Sequence, residues 1–396
     1  MRMRTTAIAA LLALTAALAV AAGAAARAQL ASSPASTASA ELASSKASCL
    51  ASKLGFSGPL TGDAGFLGQE QLSWAQFAIK RFNALYHAHI AIVQGDTQLD
   101  PALSKTVSQQ FVANKKMMGV IGPSTSQGVI SSKDAFAAAK MAMVSPSATR
   151  PSLTKAAREG GPTFFRDVPN DDVQGPTDAT FIIKKLKAKD VAIVTVRANP
   201  YSTALSDIMA SRLTSAGVKV TRLTVEQDQK DYSTTVTRVS SSTGVFVLPW
   251  QQPPDAQTFA NQLKLQGKRA LPFGTDGTYS PDQYKPTNGY SSSFANDLHF
   301  VKSKQAIVKA YNKFSHNKTF GTFGPPSYMA TWILANAVRH SCADGKTSRA
   351  EVLKWVKKTN VPSILGGRVK FTSIGDVAGA KFYVFHIVNG KYSPTG

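Results

Sequence analysis

The sequence predicts an α/β protein made of two similar parallel-sheet lobes. Three observations carry this. The chain has 396 residues, too many for one ordinary core. From Lys53 onward, short apolar runs alternate with longer helical patterns, the order that builds parallel strands joined by covering helices. The series breaks at residues 164–171 (FFRDVPND) and then starts again at similar size. Hydrophobic residues make up 43%, enough to bury a core and to argue against wholesale disorder.

Arg2 and Arg4 precede an apolar run at 7–22, and Ala26-Arg27-Ala28 follows with small-x-small spacing. Residues 1–28 therefore read as a cleaved signal peptide. The run is short and Ala-rich, and no second run of membrane length follows, which favours a leader over a transmembrane anchor. Residues 29–48 are rich in Ser, Ala and Thr and read as a flexible linker.

In the first series, strands are expected at 53–57, 89–95, 117–122 and 141–145. Helices are expected at 68–86, 101–114 and 125–140. The first helix sets Leu72, Ala75, Ile79 and Phe82 on one face, and Pro101 suits the first turn of the second. The second series has helices at 172–187, 202–216, 231–241 and 255–267, with Gly217 stopping the second of these. Its strands are 190–196, 218–225, 244–249 and 270–274. The tail holds helices at 325–340 and 348–359 and a β-rich end at 369–388.

The formal charge is +22, or about +19 without Arg2, Arg4 and Arg27. The cations are spread along an exported chain, so nucleic-acid binding is not expected; a basic surface drawn to anionic envelope polymers or lipid head groups is. Cys49 and Cys342 read as a disulfide pair rather than a metal site, and Cys49 lies too far on to carry a lipid. No Cys/His/Asp cluster has metal-ligand spacing, so no metal and no cofactor is expected. A phosphate loop, a G-x-S-x-G elbow with a base, and a G-x-G-x-x-G after the first strand are all missing, so no enzyme is expected.

Open parallel sheets bind ligands beyond the carboxyl ends of their strands. Here those ends are polar and small. Ser124, Thr125 and Ser126 follow one strand and run into a helix, whose start favours an anion; plain N-capping is the competing role. Ser147 and Thr149 follow another. Asp276 follows the 270–274 strand and suits an ammonium, or simply a turn. Tyr201, Trp250 and Gln251 supply aromatic and polar walls. Together these make an inventory for an α-amino acid.

The ordered set Gly55–Gly62, Phe66–Gln69, Gly95–Pro101, Ile121-Gly122-Pro123, Ser145–Thr149, Phe165-Arg166, Gln174-Gly175-Pro176 and Phe273–Gly277 resembles the type I periplasmic binding proteins of the leucine/isoleucine/valine-binding branch. The resemblance covers about residues 53–390. It implies two Rossmann-like lobes on a three-segment hinge, crossing near 168–171, 290–294 and 368–371. Lobe 1 would take 49–168 plus 294–368, and lobe 2 would take 169–293 plus 369–396. It implies an extracytoplasmic solute-binding protein of an ABC importer that closes on an amino acid, branched-chain type foremost, without catalysis. A sensor of the same fold for amides, urea or aromatic acids is the alternative. The permease membrane subunits would be its partners, and a monomer is expected.

By the same resemblance, a hydroxyl among Ser124, Thr125 and Ser126 would bind the ligand carboxylate, and Ser147 and Thr149 would hold carboxylate and ammonium. Asp276 would pair with the ammonium, Tyr201 would close from lobe 2, and Trp250 or Gln251 would stand where a Tyr is common. Phe66 or Leu67 would line the lobe 1 side. A Cys49–Cys342 bridge would tie the first strand to the long late helix.

Overall fold

The computed structural model describes residues 34–155, 157–227, 229–316 and 319–395. The expected signal peptide and residues 29–33 lie outside these. The first lobe is a five-stranded, all-parallel sheet in the order β2-β1-β3-β4-β5. Its strands are β1 (Lys53–Gly58), β2 (Ala91–Asp96), β3 (Met117–Ile121), β4 (Ala142–Ser145) and β5 (Phe164–Arg166). One face carries α2 (Gly65–Tyr86) and the late helix α10 (Gly324–Ser341); the other carries α3 (Pro101–Ala113) and α4 (Ser126–Ala138). Each face buries its own apolar cluster, as a parallel sheet requires.

The second lobe is a seven-stranded sheet in the order β14-β13-β10-β9-β8-β6-β7. Strands β6 (Asp190–Val196), β7 (Lys219–Val225), β8 (Val245–Leu248), β9 (Leu271–Gly274) and β10 (Asn288–Ser293) are parallel. The closing strands β13 (Tyr383–Val388) and β14 (Lys391–Pro394) are antiparallel. Helices α5 (Asp171–Lys184) and α6 (Pro200–Ser215) cover one face; the short α7 (Ser233–Thr237) and α8 (Pro253–Leu265) cover the other.

Several expectations change. Residues 34–49 are not an unstructured linker but helix α1 (Pro34–Cys49). A lack of large apolar side chains limits burial, but Ala40, Ala43 and Ala47 are strong helix formers. The helix end is also held, because Cys49 is bonded to Cys342, with Cα atoms 5.9 Å apart, and the Ser45 hydroxyl donates to the Gly345 carbonyl at 2.8 Å. Gly345 has φ +81°, and a Cβ there would meet Ser45 Oγ at 2.4 Å. The helix expected at 231–241 shrinks to α7, in a run of Ser and Thr whose side chains compete for the backbone; Thr237 Oγ1 donates to the Ser233 carbonyl. Strand β10 and helix α9 (Gln305–Ser315) were not foreseen.

The chain passes between the sheets after β5, after β10 and before β13. A small hairpin of β11 (Asn360–Pro362) and β12 (Arg368–Lys370) follows α11 (Arg349–Lys357). The last passage comes later than 368–371, because Asp376 still forms a backbone bridge with Arg166 of β5. Arg166 is fully buried and donates to Asp376 Oδ1 at 2.6 Å, to the carbonyls of Ala148 and Arg150, and to Thr154 Oγ1. Asn170 Nδ2 donates to the other oxygen of Asp376 at 3.2 Å. One guanidinium thus fastens a cleft loop to the last passage, and Asn170 of the first passage joins them through Asp376.

Removing the acid would strand a buried cation. Asp376→Ala is expected to cost about 3–5 kcal/mol in urea unfolding; a loss under ~1 kcal/mol would show that Arg166 does not depend on it.

Candidate functional site

Because β3, β4, β6, β8 and β9 each run parallel with their neighbours, their carboxyl ends open toward one gap between the lobes. The gap is closed. Gln127 Nε2 of lobe 1 donates to Gln251 Oε1 of lobe 2 at 3.2 Å, and Asn199 Nδ2 donates to the same oxygen at 3.1 Å. Arg150 Nη1 crosses to the Pro200 carbonyl at 2.7 Å. Ser124, Thr125, Ser126, Ser147, Thr149, Tyr201, Gln251 and Asp276 are all buried.

The lobe 1 hydroxyls divide by role. Gly122 has φ +111°, and a Cβ there would meet the Ser57 carbonyl oxygen at 2.4 Å, so only glycine lets the strand turn into the loop. Ser124 Oγ donates to Gln71 Oε1 at 2.6 Å, Gln71 Nε2 donates to Ser147 Oγ at 2.7 Å, and Ser147 Oγ donates to the Ser124 carbonyl at 2.6 Å. These three side chains brace one another. Thr125 caps α4 by accepting from Gly128 N at 3.2 Å, and Ser126 Oγ accepts from Arg150 N at 3.3 Å. Of the five hydroxyls expected at the site, Thr149 Oγ1 is the one buried without a hydrogen bond within the usual distance.

Lobe 2 contributes acid. Tyr201 OH donates to Asp276 Oδ1 at 2.6 Å and lies 2.6 Å from Thr275 Oγ1. Burial pushes the Asp276 carboxyl up to about 6 against the pull of that phenol. Asp171, the first residue of α5, has both oxygens buried and no hydrogen-bond partner for either. Burial and then the charge of Asp276 push its pKa well above the usual range, while the nearby Thr149 hydroxyl pulls it back. Asp178 is raised by burial in the same way; Ser292 Oγ donates to it at 2.8 Å and accepts from Gln174 Nε2 at 3.0 Å. Burial first, and the Asp276 and Asp171 charges next, keep the Tyr201 phenol protonated, so it remains a donor.

The gap therefore holds three neighbouring buried carboxyl groups, of which Asp171 and Asp178 keep acceptor atoms without a hydrogen bond. Among the described residues, no three His, Cys, Asp or Glu side chains are arranged to hold a metal ion. A molecular cation with several N–H donors is the group this arrangement can neutralise.

Two expected residues stand elsewhere. Trp250 belongs to the core of lobe 2: its Nε1 donates to the Val194 carbonyl at 2.6 Å, and its ring packs on Tyr232 and Phe259. Its neighbour Gln251 faces the gap instead. Phe66 meets Phe323 edge-on and lines a cavity of about 300 Å³ at the side of the gap, with Glu70, Tyr311 and Ser280. Glu70 accepts from the N–H groups of Gly321 and Gly324 at 2.7 Å each, yet burial still pushes its carboxyl up to about 7. Asp171, Gln174 and Asp178 were not foreseen as site residues. In sequence, Asn170-Asp171-Asp172 reads as an ordinary capped, acidic helix start, and only the tertiary fold aims it at the gap.

A family model described as periplasmic binding protein matches residues 51–391. An amino acid binding protein of Pseudomonas aeruginosa is 25% identical over 86% of this chain and 91% of its own length. The Leu/Ile/Val-binding protein BraC3 of Rhizobium johnstonii is 26% identical over 85% and 92%. Among solved structures, the leucine binding protein LivK of Thermotoga maritima superposes with a TM-score of 0.78 at 18% identity, over 87% of this chain and 98% of that one. A solute binding protein of R. palustris in complex with benzoate superposes with a TM-score of 0.76 at 16% identity, over 87% and 95%.

The raised carboxyl of Asp276 has a consequence for the ligand-free protein. Its folded pKa of about 6 exceeds the ordinary 3.8, so its favourable contribution is complete below about pH 4 and is lost as pH rises through 6. Asp276→Asn is expected to raise ligand-free stability at neutral pH by about 1–3 kcal/mol and to flatten the pH profile in that window. Urea titrations from acid to neutral pH test this; an unchanged profile would show that Asp276 is hydrated in solution.

Proposed function

The chain belongs to the periplasmic binding protein family, and from that premise we propose that it is an extracytoplasmic solute-binding protein of an ABC importer. Its ligand is an amino acid, of the branched-chain type foremost, held between the lobes without chemistry. The observation that carries this reading is the pair of neighbouring buried carboxyl groups between the lobes, Asp276 and Asp171, of which Asp171 has no hydrogen bond within the usual distance on either oxygen. An α-ammonium supplies the charge and donors they lack. Thr149 Oγ1, beside Asp171, adds an acceptor for the same group.

The ligand carboxylate is assigned to the start of α4, where backbone N–H groups gather with the hydroxyls of Thr125 and Ser126, which act as acceptors toward Gly128 N and Arg150 N, while the Ser124 and Ser147 hydroxyls brace the loop. Tyr201 holds Asp276 in place, and Gln251 seals the gap against Gln127. Closure stabilises the lobe–lobe contact because the ligand neutralises charge that the closed form would otherwise bury unpaired. A permease then reads the closed form. Residues 1–28 act as the cleaved export leader, and the protein works as a monomer. Same-fold binding of an aromatic acid such as benzoate is disfavoured, because such a ligand would bring a second anion to Asp171 and Asp276 with no cation.

A thermal-shift screen of amino acids, amides, urea and aromatic acids tests the ligand class. Leucine, isoleucine or valine is expected to raise the melting temperature, since ligand at a hundred times its Kd adds about 2.7 kcal/mol. In calorimetry with the strongest hit, Asp276→Ala is expected to weaken binding by about 1–3 kcal/mol. A screen answered only by aromatic acids, or an unchanged Kd in the variant, would sink the assignment.

A further inference from the structure

The end of lobe 2 farthest from the cleft has the opposite electrostatic character. Strands β6, β7, β8 and β9 are parallel, so the loops that enter them emerge along one edge. Their order there is fixed by the ladder: Lys219 N donates to the Lys189 carbonyl, Gly244 N to the Asp190 carbonyl, and Leu271 N to the Gly244 carbonyl. The four entering segments, 184–190, 212–219, 238–245 and 264–271, contain ten Lys and Arg against one acid, Asp190. That acid is buried and spent on Lys219, Ser242 and Thr243. Lys184, Lys185, Lys187, Lys189 and Arg269 are exposed. None of these five is in an ion pair among the described residues.

The same edge exposes apolar side chains. Leu265, at the end of α8, is 84% exposed, more than any other large exposed hydrophobic side chain of the described residues. Val388, paired with Asn288 at the amino end of β10, is 44% exposed. Lys268 Nζ ties the loop after α8 to the carbonyls at the end of α7, so the loops form a joined surface.

We propose that this pole of lobe 2 docks on a membrane surface rich in anionic phospholipid. The cations supply attraction to the headgroups, and the solvated Leu265 supplies a short apolar contact beneath them. A soluble polyanion would satisfy the charge but would give the leucine nothing to enter. The cleft lies at the opposite ends of the same strands, so docking leaves it open to ligand. The inference stands apart from the identity of that ligand.

The test is co-sedimentation of the full chain with vesicles of equal parts phosphatidylglycerol and phosphatidylcholine, or of phosphatidylcholine alone, at physiological ionic strength. Residues 1–28 are identical in every arm, so differences report on the pole. Wild type is expected to prefer the anionic vesicles, and Lys184→Glu/Lys185→Glu/Lys187→Glu/Lys189→Glu to bind them at least tenfold less while melting normally. The same charge change on exposed lobe 1 lysines (Lys105, Lys115, Lys116 and Lys140 to Glu) is expected to have a much smaller effect. Leu265→Ser is expected to weaken vesicle binding severalfold and to leave binding to inorganic polyphosphate unchanged. No preference for anionic vesicles, equal losses from both charge variants, or a silent Leu265→Ser would each overturn the proposal, the last in favour of a soluble polymer.

Discussion

A carboxylate in a dry gap cannot stay both charged and unpaired, and this constraint organises the molecule. Asp171, Asp178 and Asp276 lie buried between two sheets; burial raises the pKa of all three, and the charge of Asp276 raises the other two further. In the closed form they either hold protons or wait for a cation. The Tyr201 phenol and the Ser292 hydroxyl reduce the penalty without removing it. Closure without a cationic guest is therefore opposed by the site itself. That gives a ligand a reason to shift the balance between open and closed lobes, because it interacts better with one state than with the other.

Such a gap needs two rigid walls and a defined joint. Each sheet is packed on both faces, so its strand ends are held firmly. The joint is fixed by polar contacts rather than by apolar bulk. Arg166 uses its guanidinium to bind a cleft loop and the last passage between lobes at once. The Cys49–Cys342 bond lies on the far side of lobe 1, where it anchors the leading helix to the end of α10 and takes no part in closing.

Net charge and site charge have opposite signs in this protein. The chain is strongly basic, yet the buried groups at the cleft are acids, and much of the uncompensated basic charge sits on the loops that enter the second sheet. Parallel strands make that separation possible. They send all entering loops to one end and all leaving loops to the other, so a single sheet can carry an acidic, ligand-facing edge and a basic, outward one.

The sequence by itself determined the α/β class, the restart into a second sheet, and the strand-end position of Asp276, Thr149 and Gln251, because apolar periodicity and turn residues are local signals. Tertiary structure decided the rest. Trp250 and Gln251 are adjacent, and neighbouring residues leaving a strand point to opposite sides, so composition could not say which one faced the core. Asp171 looked like any acid at a helix start until the first crossing aimed that helix at the gap. The linker became a helix because alanine propensity and a distant cysteine acted on it together. In each case the deciding partner lies far away along the chain, and a local pattern carries no record of which distant surface the fold will bring to it.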